Sequence, residues 1–271
     1  LGTRRDFKDK VVVITGAAGG MGIALSRRFG AAGARLGVTD VDAEAVQAFS
    51  RTLTSERIEN IAIELDVTDE GACKMAMDKV AEQLGGIDVL INNAGITHRS
   101  AFMNTDSAVY HRVMDVNYFG SLYCTKAALA RLIKTRGLII VISSVAGFAP
   151  VLGRTGYAAS KHALHGLFDS LRTELKGTGV GVTVVCPGFT DTNIYRNALD
   201  GDGRPTKHPQ SKVGKTATPE SVAEAVFQAA CRDKRLTVLS TVGRLTRMMT
   251  KCFPSLYEKL MARLLKSELE R

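Results

Sequence analysis

The 271-residue chain is 45% hydrophobic and 23% charged, ordinary globular material sufficient for one large α/β domain and too short for two full ones. Its formal net charge is +9, from 36 Lys and Arg against 27 Asp and Glu. Aromatics are only 6%, with no Trp, and no zinc-finger, RNP-like or basic-region pattern occurs, so no nucleic-acid partner is expected. The first strand is preceded by no charged-then-apolar leader, and no apolar run reaches about 18 residues. Cys73, Cys124, Cys186, Cys231 and Cys252 form no Cys-x-x-Cys pattern and no cluster with the five histidines. The expectation is a cytoplasmic protein with reduced thiols and no metal.

Residues 1–10 are polar and basic, with Arg4, Arg5, Lys8 and Lys10, and read as a leading arm. Residues 11–14, Val-Val-Val-Ile, have the length and β-branching of a buried strand. They run at once into Thr15-Gly-Ala-Ala-Gly-Gly-Met-Gly22 and then an Ala-, Leu- and Arg-rich helix to about Ala32. Glycines between a strand and a helix let backbone approach a phosphate, and the helix start offers free N–H groups and a positive dipole end. A second strand over residues 35–39 ends at Asp40. An acid about 20 residues beyond the glycines is placed to grip a ribose diol and repel a 2′-phosphate. Gly19 and Val41, where a compensating cation could sit, carry none, and Asp42 adds a second negative charge, so NAD is expected over NADP.

A polar helix over residues 43–53 leads to a third strand, 61–65, that closes on Asp66 and Val67, a predicted adenine contact. After a helix over 69–84, a fourth strand at 87–91 runs into Asn92, Asn93, Ala94 and Gly95, where small residues again permit close approach. Asp66 also reads as a helix cap and Asn93 as a turn former. A long helical stretch follows over 106–134, with Val109, Val113, Val116, Phe119, Leu122 and Ala127 at apolar positions. Asn117 lies inside it. Asparagine is a weak helix former, so its presence implies a kink or a hydrogen-bonding task.

The run at 138–142, Leu-Ile-Ile-Val-Ile, reads as a fifth strand, with Ser144 just beyond it. Leu164, Leu167, Phe168 and Leu171 place a helix from about Tyr157, so Tyr157 and Lys161, four apart, project from one face. A cation beside a phenol favours the phenolate, lowering a pKa of about 10 toward the range of a general acid/base. Ser144 lies 13 positions before Tyr157, and a strand end facing a helix start can bring the two hydroxyls together. A sixth strand at 182–186 ends in Pro187, Gly188, Phe189, Thr190, Asp191 and Thr192; residues 193–218 show no periodicity and read as a functional loop. A helix over 219–231 and a last strand over 236–241 complete an alternation that predicts a doubly wound, mainly parallel sheet with helices on both faces and a crevice at the strand carboxyl ends.

These motifs, Thr15-Gly16-x-x-x-Gly20-x-Gly22, Asn92-Asn93-Ala94-Gly95, Asn117, Ser144, Tyr157-x-x-x-Lys161 and Pro187-Gly188, resemble the short-chain dehydrogenase/reductase family in its compact single-domain branch, over roughly residues 8–242. The resemblance implies that Tyr157 exchanges a proton with the substrate oxygen and that Lys161 lowers its pKa and holds the nicotinamide ribose. It further implies that Ser144 orients the substrate and Asn117 positions a water that relays protons to Lys161. Gly16, Gly20, Met21 and Gly22 would surround the pyrophosphate, with Asp40, Asp66, Val67, Asn93, Ala94, Gly95, Pro187, Gly188 and Thr190 along the cofactor and Thr192 on its carboxamide. A homodimer or homotetramer through the helices carrying Asn117 and Tyr157 is implied as well, with Ala158, Ala159, Ala163 and Gly166 allowing close packing.

The chain departs from the compact pattern after residue 242. Residues 243–271 form a basic amphipathic tail in which Leu256, Leu260 and Leu264 run beside Tyr257, Met261, Leu265 and Leu269. A shorter segment with Val242, Leu245, Met249 and Phe253 precedes it across Pro254. Such a stripe reads first as a surface packed on the body or a neighbouring subunit, covering the substrate mouth, and second as a peripheral contact with an anionic membrane. The function expected is NAD-dependent hydride transfer on a secondary alcohol or ketone, lipophilic in the steroid-, retinoid- or acyl-like sense, with Ile96, Phe148, Ala149, Val151 and Phe189 as apolar lining. An NADPH-dependent carbonyl or 3-oxoacyl reductase, and a nucleotide-binding regulator without catalysis, stand as alternatives.

Overall fold

A computed structural model describes residues 5–192, 194, 197–207 and 216–268. Arg4, Asn193, Leu269 and several positions between 195 and 215 that the sequence reading touched lie outside the described residues. Seven strands, β1 (Val11–Thr15), β2 (Arg35–Asp40), β3 (Asn60–Glu64), β4 (Val89–Asn92), β5 (Leu138–Ile142), β6 (Gly181–Cys186) and β7 (Leu236–Val238), pair in parallel in the order β3-β2-β1-β4-β5-β6-β7. The order reverses between β1 and β4, where a doubly wound sheet opens its crevice.

Alternation along the strands builds two cores. Val12 and Ile14 face one side with α1 (Gly20–Gly30), α2 (Ala43–Ser55) and α7 (Pro219–Cys231), where Phe7, Phe29 and Phe227 meet edge to face. Val11 and Val13 face the other, against α3 (Glu70–Leu84), α5 (Gly120–Thr135) and α6 (Thr155–Glu174), through Met77, Val80, Leu132, Leu164 and Phe168. Buried β-branched side chains on both faces explain why these strands read as unbroken apolar runs. Asp42, Asp69 and Thr218 cap α2, α3 and α7 through side-chain oxygens, which sets where those helices begin.

Three expectations are corrected. The single helix over 106–134 is α4 (Ser107–Met114) and α5 joined by a π-helical turn at Asp115–Phe119, with Asn117 at its centre. The last strand stops at Val238 because Ser240 caps a new helix, its Oγ accepting from the Gly243 N–H at 2.9 Å. The apolar stripe of the tail is also divided. The tail folds as α8 (Thr241–Cys252) and α9 (Pro254–Leu264); Tyr257 and Leu265 are buried, whereas Leu256, Leu260 and Leu264 are exposed. No helix among the described residues is long and apolar enough to cross a membrane.

Candidate active site

A cleft of about 870 Å³ lies along the carboxyl ends of the strands. It is lined by Gly16, Gly20, Met21, Gly22, Asp40, Asp66, Val67, Asn93, Ala94, Gly95, Ser144, Tyr157, Lys161, Pro187, Gly188, Thr190 and Thr192. Residues from seven separate segments of the sequence are thus assembled on one wall-and-floor surface. Of the residues predicted for catalysis and cofactor binding, Asn117 alone does not line it.

The floor begins at Thr15. Its buried Oγ1 accepts from the Asn93 N–H at 3.1 Å and the Ala94 N–H at 3.0 Å, tying the end of β1 to the end of β4. Asn93 returns the link, its Nδ2 donating to the carbonyls of Thr15 at 2.9 Å and Gly16 at 3.0 Å. Gly16 has φ +64°, and a Cβ there would lie 2.9 Å from Ala94 Cα, so only glycine lets the two loops touch. A Cβ on Gly22 would collide with the Gly16 carbonyl oxygen, which keeps the turn tight against α1.

The cradle fits a dinucleotide. The residue before α1 is Gly19, which offers no side-chain cap, and the first turn holds no acid, so the helix start is left for an anion. The space beside Gly20 is open until Thr192, 3.6 Å from where a Cβ would sit. Asp40 accepts from the Ala18 N–H at 2.9 Å and the Asp42 N–H at 3.2 Å, which fixes its carboxylate at the rim of this cradle. Asp66 accepts from the N–H and hydroxyl of Thr68 at 2.9 and 2.8 Å, so it shapes the turn before α3 while lining the cleft.

At the other end, two adjacent serines follow β5 and both line the cleft. Ser143 is buried with its Oγ 3.0 Å from His165 Nε2, and the Ser144 Oγ accepts from the Ala146 N–H at 3.1 Å. Tyr157 is the third residue of α6 and packs with Ile96, Val109, Val113 and Leu199. The positive end of a helix dipole next to a phenol favours the phenolate. Lys161, one turn on, is buried and donates to the Ile142 carbonyl at 2.9 Å; its Nζ stands 5.7 Å from the centre of the Tyr157 ring. Burial pushes the Lys161 ammonium down to about 8.

Asn117 serves this site from behind. Its Oδ1 accepts from the Ile96 N–H at 2.8 Å, and its Nδ2 donates to the Ile96 carbonyl at 3.0 Å and Ser160 Oγ at 2.9 Å. Both the kink and the hydrogen-bonding task inferred for this asparagine are therefore present, since the π-helical turn aims the side chain at the segment after Gly95. The amide clamps the Gly95–Ile96 segment to α6 at Ser160, three residues after Tyr157 and one before Lys161.

Sequence reasoning missed three contributors. His98 is fully buried and its Nε2 accepts from the Gly156 N–H at 2.9 Å, satisfying a first-turn donor of α6 in place of a cap. Thr15 opens the glycine motif, and its hydroxyl joins the two glycine loops. Arg112 lines the cleft from α4, and only the fold brings it there. Of the five residues predicted as apolar lining, only Ile96 lines the cleft; Ala149 is fully buried and Phe148 packs on the His165 ring at 6.3 Å. Phe148, Ala149 and Val151 follow β5 and Phe189 follows β6, and the sequence does not reveal which way their side chains turn.

A family model for short chain dehydrogenases matches residues 10–202. A bovine (Bos taurus) protein, dehydrogenase/reductase SDR family member 7B, is 37% identical over 267 residues, covering 96% of this chain and 82% of its own length. The meso-2,3-butanediol dehydrogenase of Serratia marcescens is 37% identical over 227 residues, 84% of this chain and 89% of that protein. The crystal structure of a short chain dehydrogenase/reductase from Burkholderia phymatum in complex with NAD superposes with a TM-score of 0.83 at 24% identity, over 93% of this chain and 96% of that one. With the matched segment containing every motif of the cleft, the chain belongs to the short-chain dehydrogenase/reductase family and is an NAD(P)-dependent oxidoreductase acting on CH–OH groups.

Proposed function

We propose that this chain interconverts a lipophilic secondary alcohol and its ketone with NAD, and that Tyr157 is the general acid/base. The observation that carries this reading is the single cleft in which Ser144, Tyr157 and Lys161 meet the glycine cradle and Asp40. In oxidation, Tyr157 as phenolate takes the hydroxyl proton while the carbinol hydrogen leaves as hydride; the bound nicotinamide supplies the acceptor for that hydride. In reduction the phenol returns the proton to the carbonyl oxygen. Ser144 holds the substrate oxygen, and the Lys161 charge and the α6 dipole favour the phenolate.

Charge in the cleft supports NAD. Its lining carries four acids, Asp40, Asp42, Asp66 and Asp115, against two cations, Arg112 and Lys161, and both acids at the β2 end would repel a 2′-phosphate. The apolar setting of Tyr157 among Ile96, Val109, Val113 and Leu199 suits a lipophilic substrate, and a relative named for a secondary diol suits the secondary-alcohol class. The thiols of all five cysteines are free, in keeping with a reducing, cytoplasmic setting. Exposed Ala159 and Gly166 on α6 support a homodimer or homotetramer packed through α5 and α6.

The test is a Tyr157→Phe variant assayed with NAD and a panel of secondary alcohols that includes 2,3-butanediol, alongside NADH binding. Loss of general acid/base catalysis is worth about 100- to 10,000-fold in rate, so turnover should fall by that factor while the NADH dissociation constant stays within a few-fold. Full turnover in the variant would show that the proton moves through another group.

A further inference from the structure

Thirteen large hydrophobic side chains are exposed among the described residues, and seven of them belong to α8, α9 and the turn between. Val242, Leu245 and Met248 on α8, Phe253 at the turn, and Leu256, Leu260 and Leu264 on α9 are each between 42% and 61% exposed. At about 100° per residue, Leu256, Leu260 and Leu264 fall within an arc of about 80° on α9, and Val242, Leu245 and Met248 within about 120° on α8. Tyr257 and Leu265, one position on from the exposed leucines, turn inward and are buried. The tail therefore uses one face to hold itself on the body and leaves an adjacent face uncovered.

That face is bordered by cations. Lys259 and Arg263 flank the leucine line of α9, Arg244 and Lys251 flank the stripe of α8, and Lys266 follows; all five are exposed, against exposed Glu258 alone among the tail's described acids. An isologous contact with a second copy would bring these cations against themselves. An anionic surface matches them, and the apolar arcs suit the boundary between headgroups and acyl chains.

The tail also stands at the substrate end of the cleft. Ser240, the cap of α8, lies 3.2 Å from where a Cβ on Gly188 would sit, and Gly188 lines the cleft. Val145, directly after Ser144, is 3.0 Å from the equivalent point on Gly243, and Glu268 is 3.0 Å from that on Gly153, four residues before Tyr157. The two ends of the tail thus bracket the segments that carry Ser144 and Tyr157.

We propose that the uncovered face of α8 and α9 docks on an anionic lipid surface and turns the mouth of the cleft toward it, so that the substrate is taken from the membrane phase. This extends the proposed lipophilic substrate class, but the docking itself is read without turnover. The full chain would be sedimented with phosphatidylcholine vesicles with and without phosphatidylserine, together with Leu256→Glu/Leu260→Glu and Lys259→Gln/Arg263→Gln variants. Wild type should co-sediment with the phosphatidylserine vesicles. The leucine variant should bind roughly tenfold or more weakly from lost apolar burial, and the charge variant by about fivefold per basic residue removed. NADH titration of each variant, expected to match wild type, shows that the fold and cofactor site are intact. Absence of wild-type binding to phosphatidylserine vesicles, or equal binding by wild type and the leucine variant, would overturn the proposal. So would a wild-type dimer that the leucine variant converts to monomer without any vesicle binding.

Discussion

His98 accepts the Gly156 N–H only while neutral, which makes stability depend on pH in a calculable way. Burial, with the nearby Arg154 charge second, holds its imidazole down from 6.5 to about 4. The ring is further enclosed by Ser100, whose hydroxyl lies 3.4 Å from Nδ1, and by Tyr110, 5.6 Å between ring centres. A group whose folded pKa is depressed leaves the unfolded chain binding more protons between the two values. Its contribution is therefore complete above pH 6.5 and is lost as the pH falls toward 4. A gap of 2.5 units at about 1.4 kcal/mol per unit amounts to about 3 kcal/mol. His98→Gln retains an acceptor for Gly156 and removes the titration. Urea unfolding of both proteins at a series of pH values between 7 and 4 should show the wild type losing about 3 kcal/mol relative to the variant. His165, also depressed by burial, titrates in both and cancels. Parallel pH profiles would refute the reasoning, because they would mean that the imidazole is already protonated or is not holding Gly156.

Thr15→Ala leaves the partly buried N–H groups of Asn93 and Ala94 without their acceptor, at about 1–3 kcal/mol each. Urea unfolding should show a loss of about 2–5 kcal/mol, with Thr15→Ser within about 1 kcal/mol of wild type because the hydroxyl is kept. Lys161 is predicted to trade stability for chemistry. Its folded pKa of about 8 lies below 10.5, so the charged form is penalised in the fold below pH 8 and the penalty is relieved as the pH rises toward 10.5. Lys161→Met should raise stability at pH 7 by about 1–3 kcal/mol, the loss of the Ile142 hydrogen bond offsetting part of the gain, while abolishing turnover.

The sheet and its order of elements were legible because the central strands β1, β4, β5 and β6, buried on both faces, are apolar runs rich in Val, Ile and Leu, and the motifs stood next to the strands. Asp40 ends its strand and Asp66, Asn93 and Ser144 lie just beyond theirs, so naming the strands also placed the cleft. Asn117 was legible as an anomaly, an amide where a helix former belongs, and its clamp on Ile96 is the task that the anomaly implied. His98 carried no such signal. Its role depends on a contact 58 residues away in sequence, which neither periodicity nor spacing encodes. The substrate-side lining failed for a related reason: apolar character does not say whether Phe148 or Ala149 faces the cleft or the interior. In the tail, helical spacing gave the stripe but not its division into a packed and an exposed face, since Leu256 and Tyr257 are neighbours with equal claims to burial.

The central claim, that the cleft is built for NAD and owes its preference to the acids at the end of β2, is tested most directly by calorimetric titration of the full chain with NADH and NADPH side by side. Placing a 2′-phosphate against Asp40 and Asp42 sets like charges together at a cost of several kcal/mol, so NADH should bind about a hundredfold more tightly. Equal affinity, or tighter binding of NADPH, would contradict the account and would mean that Arg112 or another cation reaches the 2′-phosphate.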